Sequence, residues 1–255
     1  MDGKRMGIAN ADVSGRRVVI TGAGRGLGRV LATAFDAAGA QLGLVARSEQ
    51  ALTKVASTLS GDPLICAGDV RADGFNETVA DQMVERFGGV DVWICNAGVS
   101  PEVAAVEHTD PAVWRDIIDV NLTGTFLGAR AAATAMESGG RIIVTGSVVG
   151  IRPRGGLAAY AASKSGSHAL VQSMAQELGP RQITVNAVAL GWFDTGLGAH
   201  WHRDTEREND ITRHTALGRW GTPEDLPGIY LFLASAASAY VTGSAITVDG
   251  GYSLL

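Results

Sequence analysis

The sequence lacks most of the signals that mark a secreted, membrane-spanning or metal-binding protein. It has two cysteines, Cys66 and Cys95, without a C-x-x-C spacing, so we interpret them as buried thiols rather than as a disulfide or a metal site. No run approaches the roughly 18 consecutive apolar residues that a membrane span needs. The segment from Met1 to Ser14 lacks the apolar core of a signal peptide. These absences predict a cytoplasmic protein.

A basic charge excess is also missing. The chain has 21 Lys and Arg against 26 Asp and Glu, for a net charge of −5, which disfavours nucleic acid or an anionic membrane as a partner. Hydrophobic residues make up 46% and charged residues 18%, so extensive disorder is not expected. No linker, charge block or internal repeat divides the 255 residues, and we therefore expect a single domain over 1–255.

Short β-branched stretches alternate with stretches of helical periodicity. Strands are predicted at Arg17–Thr21, Gln41–Ala46, Pro63–Cys66, Val90–Cys95, Arg141–Thr145, Ile183–Ala189 and Ala245–Val248. Helices are predicted at Gly28–Ala38, Glu49–Leu59, Phe75–Phe87, Pro111–Met136 (one or two helices), Ala158–Leu178 and Asp225–Ala234. Repeated β-α units of this length predict an α/β protein with a Rossmann-like, doubly wound and mostly parallel sheet.

The stretch Thr195–Arg219 has no clear periodicity and is rich in charge, His and Trp. It is longer than an ordinary connection, so we interpret it as a candidate lid over a site. Its side chains His200, Trp201, His202 and His214 could contact a substrate or merely pack. Two arginines nearer the predicted site, Arg152 and Arg154, could attract an anionic substrate or simply be solvated. No set of metal ligands stands out.

A glycine-rich turn, Thr21-Gly-Ala-Gly-Arg-Gly-Leu-Gly28, follows the first strand and opens the first helix. The spacing is T-G-x-x-x-G-x-G, with Gly22, Gly26 and Gly28, rather than the strict G-x-G-x-x-G. Residues without a Cβ let backbone N–H groups approach a pyrophosphate, and the helix N-terminus adds partial positive charge. Four alternating glycines could also form a purely structural tight turn, but this is the weaker interpretation. The turn therefore favours dinucleotide binding.

The end of the second strand predicts which dinucleotide is preferred. An NAD site places a carboxylate there for the ribose 2′-hydroxyl, whereas an NADP site places Arg for the 2′-phosphate. This chain has Ala46 followed by Arg47 and Ser48, and Arg25 offers a second positive group. NADP(H) is therefore favoured over NAD(H), the alternative being that Arg47 only solvates a strand end.

A second group of residues has the pattern of a catalytic site. Tyr160 and Lys164 share one face of a predicted helix, because residues at i and i+4 are neighbours. Ser147 directly follows the fifth strand, at the carboxyl edge of the sheet where ligands bind. Asn121, taken in isolation, is more typical of a turn or a cap.

Several spaced motifs together resemble the short-chain dehydrogenases/reductases over about Ser14 to Ser253. The motifs are Thr21–Gly28, Asp69-Val70, Asn96-Ala-Gly98, Asn121, Ser147, Tyr160-x-x-x-Lys164 and Val248-Asp-Gly-Gly251. The resemblance implies a sheet of about seven parallel strands, a catalytic tetrad of Asn121, Ser147, Tyr160 and Lys164, and a homodimer or homotetramer.

The resemblance also implies individual roles. Ser147 would hold the substrate oxygen, Lys164 would bond the nicotinamide ribose, and Asn121 would position a water-linked proton path. The usual Pro-Gly after the sixth strand is Leu190-Gly191 here, a departure that weakens the inference for the contacts that follow it. The implied cofactor-binding residues are Gly22, Arg25, Gly26, Leu27, Gly28, Arg47, Ser48, Asp69, Val70, Asn96, Ala97, Gly98, Tyr160, Lys164, Gly191, Phe193 and Thr195.

The predicted chemistry is hydride transfer between NADP(H) and a small-molecule ketone or alcohol. Hydride addition builds negative charge on the substrate oxygen, which must receive a proton, and a tyrosine with a pKa of about 10 donates one readily. We expect the ammonium of Lys164, helped by the positive nicotinamide of the oxidised cofactor, to lower the pKa of Tyr160 for the reverse reaction. Three alternatives stay open: an NAD(H)-dependent alcohol dehydrogenase of the same family, a non-redox NADP-binding regulatory protein, and a lyase or isomerase on this fold.

Overall fold

A computed structural model describes residues 11–100, 102–195 and 205–254. Within these ranges the chain forms one sheet of seven strands. The strands are β1 (Arg17–Thr21), β2 (Gln41–Ala46), β3 (Leu64–Ala67), β4 (Val92–Cys95), β5 (Arg141–Ser147), β6 (Thr184–Leu190) and β7 (Ala245–Val248).

All neighbouring strands are parallel, in the order β3-β2-β1-β4-β5-β6-β7. The helices between them are α1 (Gly26–Ala37), α2 (Glu49–Ala56), α3 (Phe75–Phe87), α4 (Pro111–Ile118), α5 (Gly124–Ala135), α6 (Ala158–Leu178), α7 (Thr205–Arg213) and α8 (Pro227–Ala234). The predicted Rossmann-like architecture and the seven parallel strands are confirmed. The strand order reverses between β1 and β4, where a crevice opens at the carboxyl ends of the strands.

The core lies on both faces of the sheet. In β4, Trp93 and Cys95 join one buried cluster while Val92 and Ile94 join the other, because successive side chains of a strand point to opposite faces. Every residue of β5 and β6 is buried. Such double burial explains why apolar residues occur on both faces of these strands.

Two segments differ from the prediction in a way that concerns the site. The long helical stretch 111–136 is interrupted by a π-helical turn at Asp119–Thr123. The candidate lid contains α7, whose polar sequence carries too little apolar periodicity to be recognised. Residues 196–204, with His200, Trp201 and His202, lie outside the described residues. No helix within the described ranges is long and apolar enough to cross a lipid bilayer.

Candidate active site

A cleft of about 540 Å³ lies at the carboxyl edge of the sheet. The structure brings to it every residue that the sequence assigned to the cofactor, together with Ser147. Its wall also includes the apolar residues Ala51, Val99, Val148, Val149, Leu157 and Trp192. Residues as far apart in the sequence as Gly22 and Thr195 therefore share one site.

The glycine-rich turn leaves space that side chains would fill. Gly22 has φ +70° and Gly26 has φ +53°, in the left-handed region that favours glycine. A Cβ on Gly28 would lie 2.2 Å from the carbonyl oxygen of Gly22, and one on Gly22 would lie 2.9 Å from the Cα of Ala97. No side chain caps the N-terminus of α1 at Arg25. Gly22, Gly26 and Gly28 therefore form an open turn, which we call the glycine cradle. This turn and the uncapped N-terminus of α1 together fit the pyrophosphate of a dinucleotide.

Gly28→Ala tests this cradle. We expect the free energy of unfolding to fall by about 2 kcal/mol, because the added methyl group meets backbone that cannot turn away, and we expect NADPH binding to weaken with it. Thermal unfolding without nucleotide and a fluorescence titration with NADPH measure the two effects.

Gly24→Ala is the matched control for Gly28→Ala. Its Cβ would lie 3.1 Å from the Cβ of Ala51, a side chain at the start of α2, so it requires a smaller displacement. Equal losses of stability in the two variants would contradict the close packing of Gly28.

Asn96 and Thr21 join the first and fourth strands beneath the cleft. The side-chain amide of Asn96 donates to the carbonyl of Thr21 at 2.9 Å, and the Thr21 hydroxyl accepts from the N–H groups of Asn96 and Ala97 at 2.9 and 3.0 Å. The Thr145 hydroxyl donates to Oδ1 of Asn96 and also hydrogen-bonds the buried hydroxyl of Tyr230. The sequence motif included Thr21 without assigning it a contact, and Thr145 was missed, because their partners lie on other strands.

The end of the second strand is positively charged at the cleft edge. Arg47 and Arg25 are exposed and line the cleft, and Ser48 caps α2 by accepting from the N–H of Ala51 at 3.2 Å. The pKa of Asp69 lies below its usual value, chiefly because Arg71 donates to its carboxylate and in small part because of the charge of Arg47. An anion placed between Arg47 and the N-terminus of α2 would be stabilised by both.

Tyr160, Ser147 and Lys164 meet at the other end of the cleft. Nζ of Lys164 lies 5.7 Å from the ring centroid of Tyr160 and donates to the carbonyl of Thr145 at 2.8 Å. Ser147 hydrogen-bonds the Tyr160 phenol and also accepts from the N–H of Val149 at 3.2 Å. The helical i, i+4 spacing of Tyr160 and Lys164 and the strand end at Ser147 produce this arrangement.

Burial dominates the proton affinities at this end. It lowers the pKa of Lys164 to about 8, because a buried ammonium loses its hydration. It also raises the pKa of Tyr160 above its usual value, against the opposing hydrogen bond from Ser147. These two effects account for the direction of the shift at Tyr160, and the lowering of its pKa by Lys164 together with the positive nicotinamide of the oxidised cofactor stays a prediction.

Asn121 lies beside the cleft but does not line it. It is fully buried within the π-helical turn, where its side chain donates to the carbonyl of Val99 at 2.9 Å and accepts from the N–H of the same residue at 2.8 Å. Its own carbonyl accepts from the hydroxyls of Thr125 and Ser167. Asn121 therefore joins the segment after β4 to α6 through these hydrogen bonds. The proton path implied by the resemblance stays a prediction.

His168 is a further residue that sequence reasoning missed. It lies one helical turn beyond Lys164, and a Cβ on Gly146 would lie 2.5 Å from its Nε2. Burial and the charge of Lys164 lower the pKa of His168 below its usual value. The imidazole therefore packs as a neutral group beneath the strand end that carries Ser147.

Comparison with known proteins connects this geometry to a family. The profile described as enoyl-(acyl carrier protein) reductase matches residues 22–253. The chain is 36% identical over 251 residues to a 3β-hydroxysteroid dehydrogenase 1 of Eggerthella lenta, with 95% of each chain covered.

Solved structures of similar proteins have the same fold. A short-chain type dehydrogenase/reductase of Mycobacterium marinum superposes with a TM-score of 0.88 at 40% identity, covering 95% of this chain and 97% of the other. A structure from Beutenbergia cavernae, described as a putative NAD(P)-dependent gluconate 5-dehydrogenase with bound NADP at low occupancy, superposes with a TM-score of 0.88 at 34% identity, covering 96% of this chain and 99% of the other.

Proposed function

The chain belongs to the short-chain dehydrogenase/reductase family and is an oxidoreductase acting on hydroxyl or keto groups, and we propose that it transfers hydride between NADP(H) and a ketone or secondary alcohol, with Tyr160 as the proton-transfer residue. The observation that carries the proposal is the meeting of Tyr160, Ser147 and Lys164 at one end of a cleft whose other end is a glycine cradle.

Ser147, Tyr160 and Lys164 have different roles in ketone reduction. When bound, the reduced nicotinamide supplies the hydride. The hydroxyl of Ser147 donates a hydrogen bond to the substrate oxygen and holds it beside Tyr160. As negative charge builds on that oxygen, the phenol of Tyr160 donates its proton to it. The phenolate left behind is stabilised by the nearby ammonium of Lys164.

Tyr160 carries the proton that ketone reduction needs. A phenol whose pKa lies above its usual value is fully protonated at neutral pH, so the acid needed for ketone reduction is present. Oxidation of an alcohol needs the phenolate, and the positive charge of oxidised nicotinamide would favour that form.

The preference for NADP(H) rests on Arg47. Its side chain lines the cleft at the end of β2, where Ala46 stands in place of the carboxylate of an NAD site. A guanidinium can bind a 2′-phosphate bidentately, and α2, capped by Ser48, begins directly beside it. The Beutenbergia structure, at 34% identity, is described with NADP bound at low occupancy, which is consistent with an NADP site.

Arg47→Ala is expected to lower kcat/KM for NADPH by about 10- to 100-fold, the value of one or two charge-assisted hydrogen bonds. The value for NADH is expected to change by less than about threefold, because a ribose hydroxyl does not need the guanidinium. Arg29→Ala, an exposed position on α1 outside the cleft, is the control. A tenfold preference of the unaltered protein for NADH would overturn the assignment.

The reaction class is tested by following reduced-nicotinamide absorbance while ketones are converted. Stoichiometric loss of NADPH with formation of alcohol supports the proposal. Conversion of a substrate without net nucleotide consumption would identify a lyase or isomerase instead. Tight NADPH binding with no turnover across a broad panel of ketones and alcohols would favour a nucleotide-binding regulatory protein.

A further inference from the structure

The described walls at the Tyr160 end of the cleft are apolar. The charged residues among the described lining are Arg25, Arg47, Asp69 and Lys164, and the first three lie at the nucleotide end. At the other end, Val149, Leu157 and Ala161 form a small buried cluster against which Tyr160 packs. A substrate in front of Tyr160 therefore meets hydrocarbon on this side, and Lys164, which is buried, is the charged group that the described lining has at this end.

Trp192 lines the same cleft, and backbone contacts hold the segment that carries it. Ser147 pairs in register with Leu190, so Trp192 follows two residues after the strand position beside Ser147. Its carbonyl accepts from the N–H of Gly221 at 2.9 Å, and the adjacent Phe193 forms a β-bridge with the same glycine. This anchoring fixes the backbone position of Trp192.

The indole of Trp192 is packed from behind by two other rings. Its centroid lies 5.8 Å from that of Trp220 and 6.1 Å from that of Tyr252, the latter in an edge-on arrangement. Aromatic pairs at such separations stabilise each other beyond the area they bury. Tyr252 lies near the end of the chain, so the C-terminal segment supports the wall of the cleft.

Arg152 and Arg154 bind that C-terminal segment instead of the cleft. The guanidinium of Arg154 donates to the hydroxyl of Tyr252 and lies 5.6 Å from the centroid of its ring. Arg152 donates to the carbonyl of Ser253, whose N–H donates to Asp249 at 2.7 Å. Neither arginine lines the cleft. The two cations that the sequence offered for an anionic substrate therefore hold Tyr252 and its neighbours in place.

We propose that the substrate is a neutral ketone with an apolar ring, which lies against Trp192, and that ketones carrying a carboxylate or phosphate are disfavoured. The inference rests on the proposed hydride transfer and adds the substrate class. Stacking on an indole stabilises a flat hydrocarbon ring. A carboxylate there would lose its hydration, and Lys164, the cation that the described lining has at this end, is buried and already donates to the carbonyl of Thr145.

The test compares 4-methylcyclohexanone with 4-oxocyclohexane-1-carboxylate at saturating NADPH. The two ketones share the ring and the reacting carbonyl and differ in charge. We expect kcat/KM to be at least about 30-fold higher for the neutral ketone. Equal values, or a preference for the acid, overturn the inference and leave the proposed function intact. No turnover of any ketone with either nucleotide overturns the proposed function itself.

Trp192→Leu tests the wall, since leucine keeps the apolar character and removes the ring. We expect KM for 4-methylcyclohexanone to rise about tenfold, with kcat within about threefold and NADPH affinity unchanged. Trp192→Phe is expected to recover most of the loss. Trp114→Leu, on the exposed surface of α4, is the control. An unchanged KM for 4-methylcyclohexanone in Trp192→Leu would overturn the proposed contact between the substrate and the indole.

Arg154→Ala distinguishes two roles for this arginine: holding the C-terminal segment through Tyr252, and binding a charged group of the substrate. Loss of support through Tyr252 lowers kcat/KM for the neutral and the acidic ketone by the same factor. A loss confined to the acidic ketone would show that Arg154 binds substrate charge and would overturn the inference.

Discussion

Tyr160→Phe is expected to lower kcat for ketone reduction by about 100- to 10,000-fold, the usual contribution of a positioned general acid. The substitution removes the hydroxyl and leaves the ring against the cluster of Val149 and Leu157. Dissociation constants for NADPH are expected to stay within about twofold, because the glycine cradle and Arg47 are distant from the phenol. Single-turnover kinetics and a fluorescence titration measure the two quantities.

Tyr240→Phe is the matched control for Tyr160→Phe. It makes the same chemical change at a fully exposed tyrosine outside the cleft, and activity is expected to be unaltered. Turnover of Tyr160→Phe within a few-fold of the unaltered protein would rule out the proposed mechanism, whatever the effect on nucleotide affinity.

Lys164→Met is expected to have the second largest effect, a fall in kcat/KM of at least about 100-fold. Methionine matches the length of the buried stem but removes the charge that stabilises the phenolate. The free energy of unfolding at pH 7 is expected to hold or rise, because a buried ammonium loses hydration that methionine does not need. Activity loss with retained stability distinguishes an electrostatic role from a structural one.

The pH dependence follows from the lowered pKa of Lys164. With a pKa of about 8, Lys164 is charged below that pH and neutral above it, so kcat/KM for NADPH is expected to fall as pH rises through about 8. The decline should be absent from the residual activity of Lys164→Met. A flat profile of the unaltered protein between pH 7 and about 9.5 would show that Lys164 keeps its proton there.

Rising pH changes the free energy of unfolding in the opposite direction from kcat/KM. Between about pH 8 and its usual pKa near 10.4, the unfolded chain binds a proton at Lys164 that the folded protein does not. Stability therefore rises with pH across this window, and any advantage of Lys164→Met in thermal midpoint should shrink. Parallel unfolding curves of both proteins from pH 7 to about 10 measure the difference.

Much of the fold could be predicted from local patterns. The β-branched runs predict strands that differ from those of the structure by one or two residues at their ends, as at β3 and β4. The π-helical turn around Asn121 was not predictable, because its hydrogen bonds to Val99 and Ser163 join segments that periodicity does not relate. α7 was missed because its surface is polar nearly all round.

The candidate site divides in the same way. By itself, the sequence determined the glycine cradle at a strand-helix junction, Arg47 at the end of β2, and the one-face pairing of Tyr160 with Lys164, because each depends on spacing within a few residues. Only the tertiary structure decided the proton affinities of Tyr160 and Lys164 and the engagement of Arg154 with Tyr252. Burial and long-range contacts arise when distant segments pack together, and local spacing contains no measure of either.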